Sequence, residues 1–144
     1  MRPKALVWQA PRVVTFSAGP NAALLTAPDT ALFIADADYE VVEVSEVHTT
    51  LGTDGSAVAV DVKKCTGVQA PSSGASVLAS TFNLKSTVET VVRKNKSNAG
   101  LTTTAANRLL TRGDRLCLDF SGTLTAVTGV CVVAVLIPKS RPSY

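Results

Sequence analysis

Histidine is nearly absent from this chain: His48 is the only one in 144 residues. Any Ser-His-Asp or Cys-His mechanism would have to pass through it. No GxSxG nucleophile elbow accompanies it, and its place beside Thr49 and Thr50 is that of a partly exposed strand histidine. Cysteine is scarce and scattered. Cys65, Cys117 and Cys131 form no CxxC pair. An odd number argues against a secreted disulfide framework. One histidine and three distant thiols also make a poor ligand set for zinc. All three cysteines are expected to be reduced, small apolar side chains. Cys117 and Cys131, on neighbouring strands of an expected terminal hairpin, would be the pair best placed to bridge.

Other absences narrow the chemistry further. The acidic residues Asp36, Asp38 and Asp54 are too sparse for a calcium site and fit turns. Gly52-Thr53-Asp54-Gly55 lacks the lysine and the following helix of a phosphate loop, so it reads as a hairpin turn. Net charge is only +3. Its one concentration, Arg93-Lys94-Asn95-Lys96, has no interleaved aromatics for base stacking. No direct nucleic-acid binding is expected. No apolar run approaches the roughly 18 residues of a membrane span, and Leu6-Val7-Trp8 is too short for a signal-peptide core. The expectation is a protein that is not an enzyme, with no cofactor, no metal and no membrane partner.

What is present is β structure. Hydrophobic residues make up 46 % of the chain and charged ones 17 %, enough apolar matter for one packed domain. Leu116, Leu118 and Phe120 alternate with Arg115, Cys117 and Asp119. Val58, Val60 and Val62 alternate with Asp61 and Lys63. Both have the period of a strand with one buried face. Val130 to Ile137 is apolar throughout and stopped by Pro138, as in a strand buried on both faces or at the centre of a sandwich. Leu109 to Pro138 reads as a hairpin with a long loop, and Tyr39 to Lys63 as another. Within Tyr39–Thr50 the alternation slips at Val41-Val42, which predicts either a β-bulge or burial on both faces. Ala31–Ala35, Phe82–Leu84 and Val88–Arg93 are further strands, Lys94–Asn98 a solvent-facing bend, and Ser73–Ser80 one or two helical turns capped by Ser72 or Ser73. Roughly seven to nine short strands at about ten-residue intervals predict an all-β fold: a single β-sandwich or jelly-roll-like domain.

Residues 1 to about 30 differ. Pro3, Pro11, Pro20 and Pro28 keep this segment extended, yet Leu6, Val7, Trp8, Val13, Val14 and Phe16 are too apolar for a solvated linker. The division expected is therefore an extended N-terminal arm, 1–30, and a sandwich, 31–144. The arm's apolar residues either line its own sandwich as an extra strand or bind a partner, and sequence does not separate the two.

Val47-His48-Thr49-Thr50, Gly52-Thr53-Asp54-Gly55, Asp61-Val62-Lys63-Lys64, Phe82-Asn83-Leu84-Lys85 and the run from Leu110 through Gly113-Asp114-Arg115-Leu116 to Leu118-Asp119-Phe120 resemble segments of small β-sandwich structural proteins of tailed bacteriophage virions. The resemblance spans about residues 39 to 137. It implies a head decoration (cement) protein, made in the host cytoplasm and placed on the capsid exterior. There it would bind the major capsid protein as a homotrimer. A tail or head fibre domain that binds a host receptor is the alternative, with a small hydrolase a distant third.

Overall fold

The computed structural model describes residues 10–18 and 29–139. The elements are β1 (Arg12–Ser17), β2 (Thr30–Ile34), β3 (Tyr39–Val47), β4 (Ala59–Cys65), β5 (Ala75–Ser76), β6 (Phe82–Asn83), β7 (Val92–Asn95), α1 (Ala105–Arg108), β8 (Leu109–Leu110), β9 (Arg115–Ser121) and β10 (Cys131–Pro138). They form two antiparallel five-stranded sheets. The first runs β1-β10-β3-β7, with β8 also on β3; the second runs β2-β9-β4-β5, with β6 also on β4. The all-β sandwich expected from the alternation is what forms.

Each sheet turns its alternate residues onto the other. Val60 and Val62 of β4 face Phe120 and Leu118 of β9 across their ladder, and all four are buried. Val132, Ala134 and Leu136 of β10 are the corresponding row of the first sheet. Burying a side chain of this size is worth about 1.5–3 kcal/mol. The bulge lies where expected: the β3–β10 register passes from Glu43 opposite Val135 to Val41 opposite Leu136, leaving Val42 over.

Neither expected hairpin forms. β9 and β10 are interior strands of opposite sheets, and so are β3 and β4. The connections 48–58 and 122–130 exceed the hairpin loops of about two to five residues. Both also carry buried apolar side chains, Val58 in one and Leu124, Val127 and Val130 in the other. That apolar content draws the chain across the end of the core instead of back along the same sheet. The two crossings meet at Gly122, where φ is +82° and a Cβ would lie 2.2 Å from the carbonyl oxygen of Ala57. Only glycine fits there. Cys117 and Cys131 consequently sit on different sheets, and all three thiols are free.

Three local expectations also change. The helical turns expected over Ser73–Ser80 are replaced by a 3-10 turn at Pro71–Ser73 followed by β5, which pairs with β4. Leu101–Leu110 contains the short helix α1, which sequence did not suggest. Lys94, the first residue of the expected solvent-facing bend, is partly buried. It lies in β7, and its ammonium donates to Ser80 O and Ser80 Oγ, both at 2.8 Å. It also sits 5.0 Å from the centroid of Phe82. It spans from an edge of the first sheet to an edge of the second, and burial pushes its pKa down.

Glu40, near the start of β3, is the other fastening. Lys139 and Lys96 each place an ammonium 2.6 Å from its carboxylate, and Arg108 Nε lies 3.9 Å away. One carboxylate thus ties β3 to the end of β10, the turn after β7 and α1. Hydrogen bonds from Lys139 and then Lys96 pull its pKa down to about 2. A depressed acid stabilises the fold above its unfolded pKa, near 4.5, and that contribution disappears as pH falls towards 2. Both lysines are about half exposed, so solvent screening leaves roughly 1–2 kcal/mol of it. Glu40→Gln should therefore lose about that much stability at pH 7, and the difference from wild type should vanish near pH 2. Urea melts across that range measure it.

Candidate functional site

The chemistry-bearing residues divide between the core and two outer faces. After the bulge, β3 directs Val44, Glu46 and then His48 inward. His48 is 1 % exposed and Glu46 2 %. His48 Nδ1 lies 2.9 Å from Glu46 Oε1, while His48 Nε2 has no hydrogen-bond partner among the described residues. Burial raises the Glu46 carboxyl, and the hydrogen bond to His48 opposes that shift. The partly exposed histidine expected from sequence is therefore a buried member of an acid–imidazole pair. The pair holds the end of β3 in the core; at this burial it presents no face to a substrate. Among the described residues, no group of three or more His, Cys, Asp or Glu side chains is arranged to hold a metal.

The outer face of the second sheet is polar and covered by the chain itself. Lys63 meets Asp119 at 2.6 Å. Asp61 accepts from Ser76 Oγ at 2.7 Å and from Val62 N at 2.8 Å, with its pKa raised by burial. Segment 66–73 folds over this face. Arg115 holds the carbonyls of Gly67 and Gln69 at 3.2 and 2.6 Å, and Lys63 holds that of Ser72 at 3.1 Å. Cys65 and Cys117 are fully buried here. Their thiols are neighbours, and burial pushes Cys117 up to about 12.

The outer face of the first sheet is different. Along it, Val13 of β1 stands beside Val135 of β10, and Thr15 beside Val133. Val133 and Val135 are half-buried, whereas Val13 is 62 % and Ile137 43 % exposed. This is an apolar stripe with an open end at the β1 edge. Ser45 and Glu43 of β3 border it on the other side. Contiguous exposed apolar surface is a feature that interaction sites share.

The residues expected to bind a partner are distributed unevenly. Val13 faces outward at this edge. Val14 and Phe16 pack against the chain's own core, with the Phe16 ring 6.0 Å from that of Phe120. For residues 12–17 the extra-strand alternative therefore holds. Leu6, Val7 and Trp8 lie outside the described residues. Sequence reasoning missed the Glu46–His48 pair. Its signal was the two-residue spacing, which puts both on one face of a strand.

The buried pair has a measurable signature. Removing one partner strands the other in the core, at about 3–5 kcal/mol, whereas replacing both with apolar groups of similar volume is often neutral. His48→Leu alone should lower stability by that order. Glu46→Met with His48→Leu should recover most of it. A double-mutant cycle by urea denaturation reads the coupling.

No known family model matches the chain, and no curated protein does. Solved structures do. The fold is similar to a chain of the cyanophage Pam1 capsid asymmetric unit, with a TM-score of 0.55 and 12 % identity over 96 % of this chain and 92 % of that one. It is also similar to a chain of the capsid of Ralstonia phage GP4, with a TM-score of 0.56 and 16 % identity over 98 % of this chain and 92 % of that one. At these identities the likeness is one of fold, and it extends over nearly the whole of both chains.

Proposed function

We propose that this protein is a non-enzymatic capsid decoration protein of a tailed phage. It binds the major capsid protein lattice on the head exterior and stabilises the shell against the pressure of packaged DNA. The observation that carries this reading is the near end-to-end match to chains found in two phage capsids. The chemistry of the surface supports it. The one buried acid–imidazole pair is closed off, and the outer face left uncovered by the described chain is an apolar stripe. A rigid sandwich offers such a stripe at little entropic cost, because few side chains need ordering on contact.

In this reading the working form is a homotrimer, and residues ahead of β1 form the arm that reaches a neighbour. Leu6, Val7 and Trp8 supply its contacts, with Val13 beside them at the sheet edge. Trp8 is the anchor, since buried aromatics dominate interface energies. Because β1 is built into the sheet, the part of the arm that can be removed without cutting a strand ends before Ala10.

Two measurements test the proposal. Immunogold labelling of virions should decorate the head shell in many copies. Purified protein should bind empty expanded shells and raise the temperature at which they rupture. Label confined to the tail would replace this reading with that of a receptor-binding fibre domain, and absence from the particle would reject both. Light scattering of the free protein should give a mass three times that of the 14.9 kDa chain.

A further inference from the structure

Gly52-Thr53-Asp54-Gly55 and Phe82-Asn83-Leu84-Lys85 are distant in sequence and meet at one end of the second sheet. Gly52 N donates to Leu84 O, and Leu84 N to Val58 O, both at 2.9 Å. Phe82 and Leu84 are buried, so alternation turns Thr81, Asn83 and Lys85 to the outer side. Asn83 stands opposite Ala59 in the β4–β6 ladder. These residues line a cleft of about 320 Å³ together with the small side chains of Ser56 and Ala57. The Asp54 carboxylate holds the turn that forms one wall. It accepts from Ser56 N at 3.0 Å and from Thr123 N at 2.9 Å.

The Lys85 ammonium donates to the carbonyls of Asp54 and Ser56, at 2.5 and 3.0 Å, and meets no carboxylate. That sets it apart. Lys63, Lys64, Lys96 and Lys139 each have a carboxylate within reach. Lys94, the other lysine without one among the described residues, has three oxygen acceptors, Ser80 O, Ser80 Oγ and Thr81 O. An ammonium has three protons to donate, so Lys94 is satisfied and Lys85 keeps one N–H and its charge. Lys85 is half-buried, where a carboxylate partner is worth more than in open water. Asn83 adds a second donor. Its Oδ1 accepts from Lys85 N at 2.9 Å, which fixes the amide and leaves its NH2 group for a ligand.

We propose that this cleft binds the carboxylate of an acidic side chain, Glu or Asp, presented by a neighbouring protein. Lys85 is the counter-ion, the Asn83 amide is the second donor, and the methyl groups of Ala57 and Ala59 take the aliphatic stem. No aromatic ring lines the cleft, so the flat face of a sugar has nothing to stack on. One free ammonium is also little for a nucleic-acid backbone, which is held by many cations at once. The cleft belongs to the sheet that does not carry the apolar stripe, so it serves a contact separate from that face.

The test titrates the full chain and reads amide shifts by NMR. The probe is the peptide acetyl-Gly-Glu-Gly-amide, with acetyl-Gly-Gln-Gly-amide as its uncharged match. The glutamate peptide should shift the Ser56, Ala57 and Lys85 amides and the Asn83 side-chain amide, saturating in about the millimolar range. The glutamine peptide should bind about tenfold or more weakly, and Lys85→Met should weaken the glutamate peptide by the same order. Ala57→Leu, which fills the cleft and leaves both carbonyl bonds of Lys85 in place, should abolish the shifts. If Lys85→Met melts much earlier than wild type, Ala57→Leu decides the matter. No shift, an equal response to the two peptides, or a response unchanged in Ala57→Leu would overturn the inference. Glucuronate or inorganic phosphate shifting the same amides more strongly than the glutamate peptide would give the cleft to a sugar acid or a phosphate and overturn it as well. The titration needs no shell, so its failure leaves the proposed function standing, and label confined to the tail leaves the cleft standing.

Discussion

Among the described residues neither sheet has a helix to lie under, so each depends on the other to leave water. The only helix among the described residues is α1, Ala105–Arg108, far too short to cover a sheet. Every strand must therefore commit one face to the opposite sheet, and the core is the row of alternate residues so committed. The rest of the architecture follows from keeping that contact closed. The long connections cross between sheets at the ends and seal them with Leu124, Val127 and Val58. Lys94 and Glu40 fasten places that the apolar rows do not reach.

That dependence explains what could be read from the sequence and what could not. Period-2 alternation shows which residues of a strand share a face, so Val58 to Val62 and Leu116 to Phe120 were legible as inward rows. It carries no information about which strand lies alongside. The pairs β3–β4 and β9–β10 are consecutive in sequence and each strand is strongly alternating, which suits a hairpin and a sheet-to-sheet crossing equally well. What separates them is the apolar content of the linking segments, a weaker signal than the strands on either side. The continuous apolar run of β10 was legible as a central strand. Its outward half is the stripe on the face that the described residues leave uncovered.

The bulge at Val42 decides which face the rest of β3 presents to the core. A shift of one residue moves every following side chain to the other face. Before it, Tyr39 and Val41 point inward; after it, Val44, Glu46 and His48 do. With strict alternation from Tyr39, the acid and the imidazole would stand on the outer face and Val47 would be in the core. The buried pair is thus a product of backbone irregularity. For that reason a reading of local composition around His48 placed it in the wrong environment, even though the bulge itself was visible.

Arg12 pairs with Leu136 at one end of the first sheet. Ala10 and Pro11 line a cavity of about 400 Å³ with Pro138, Asp36 and Tyr39. The chain therefore enters and leaves the described sandwich at one corner, beside the apolar stripe. Segment 66–70, by contrast, is exposed throughout and lies over the outer face of the opposite sheet, with Val68 fully exposed at its tip. For anyone wishing to display a foreign peptide on this scaffold, the two positions are not equivalent. An insertion at Ala10 or Lys139 stands at the corner beside the docking face, whereas a graft at Val68 projects from the far side and cuts no strand.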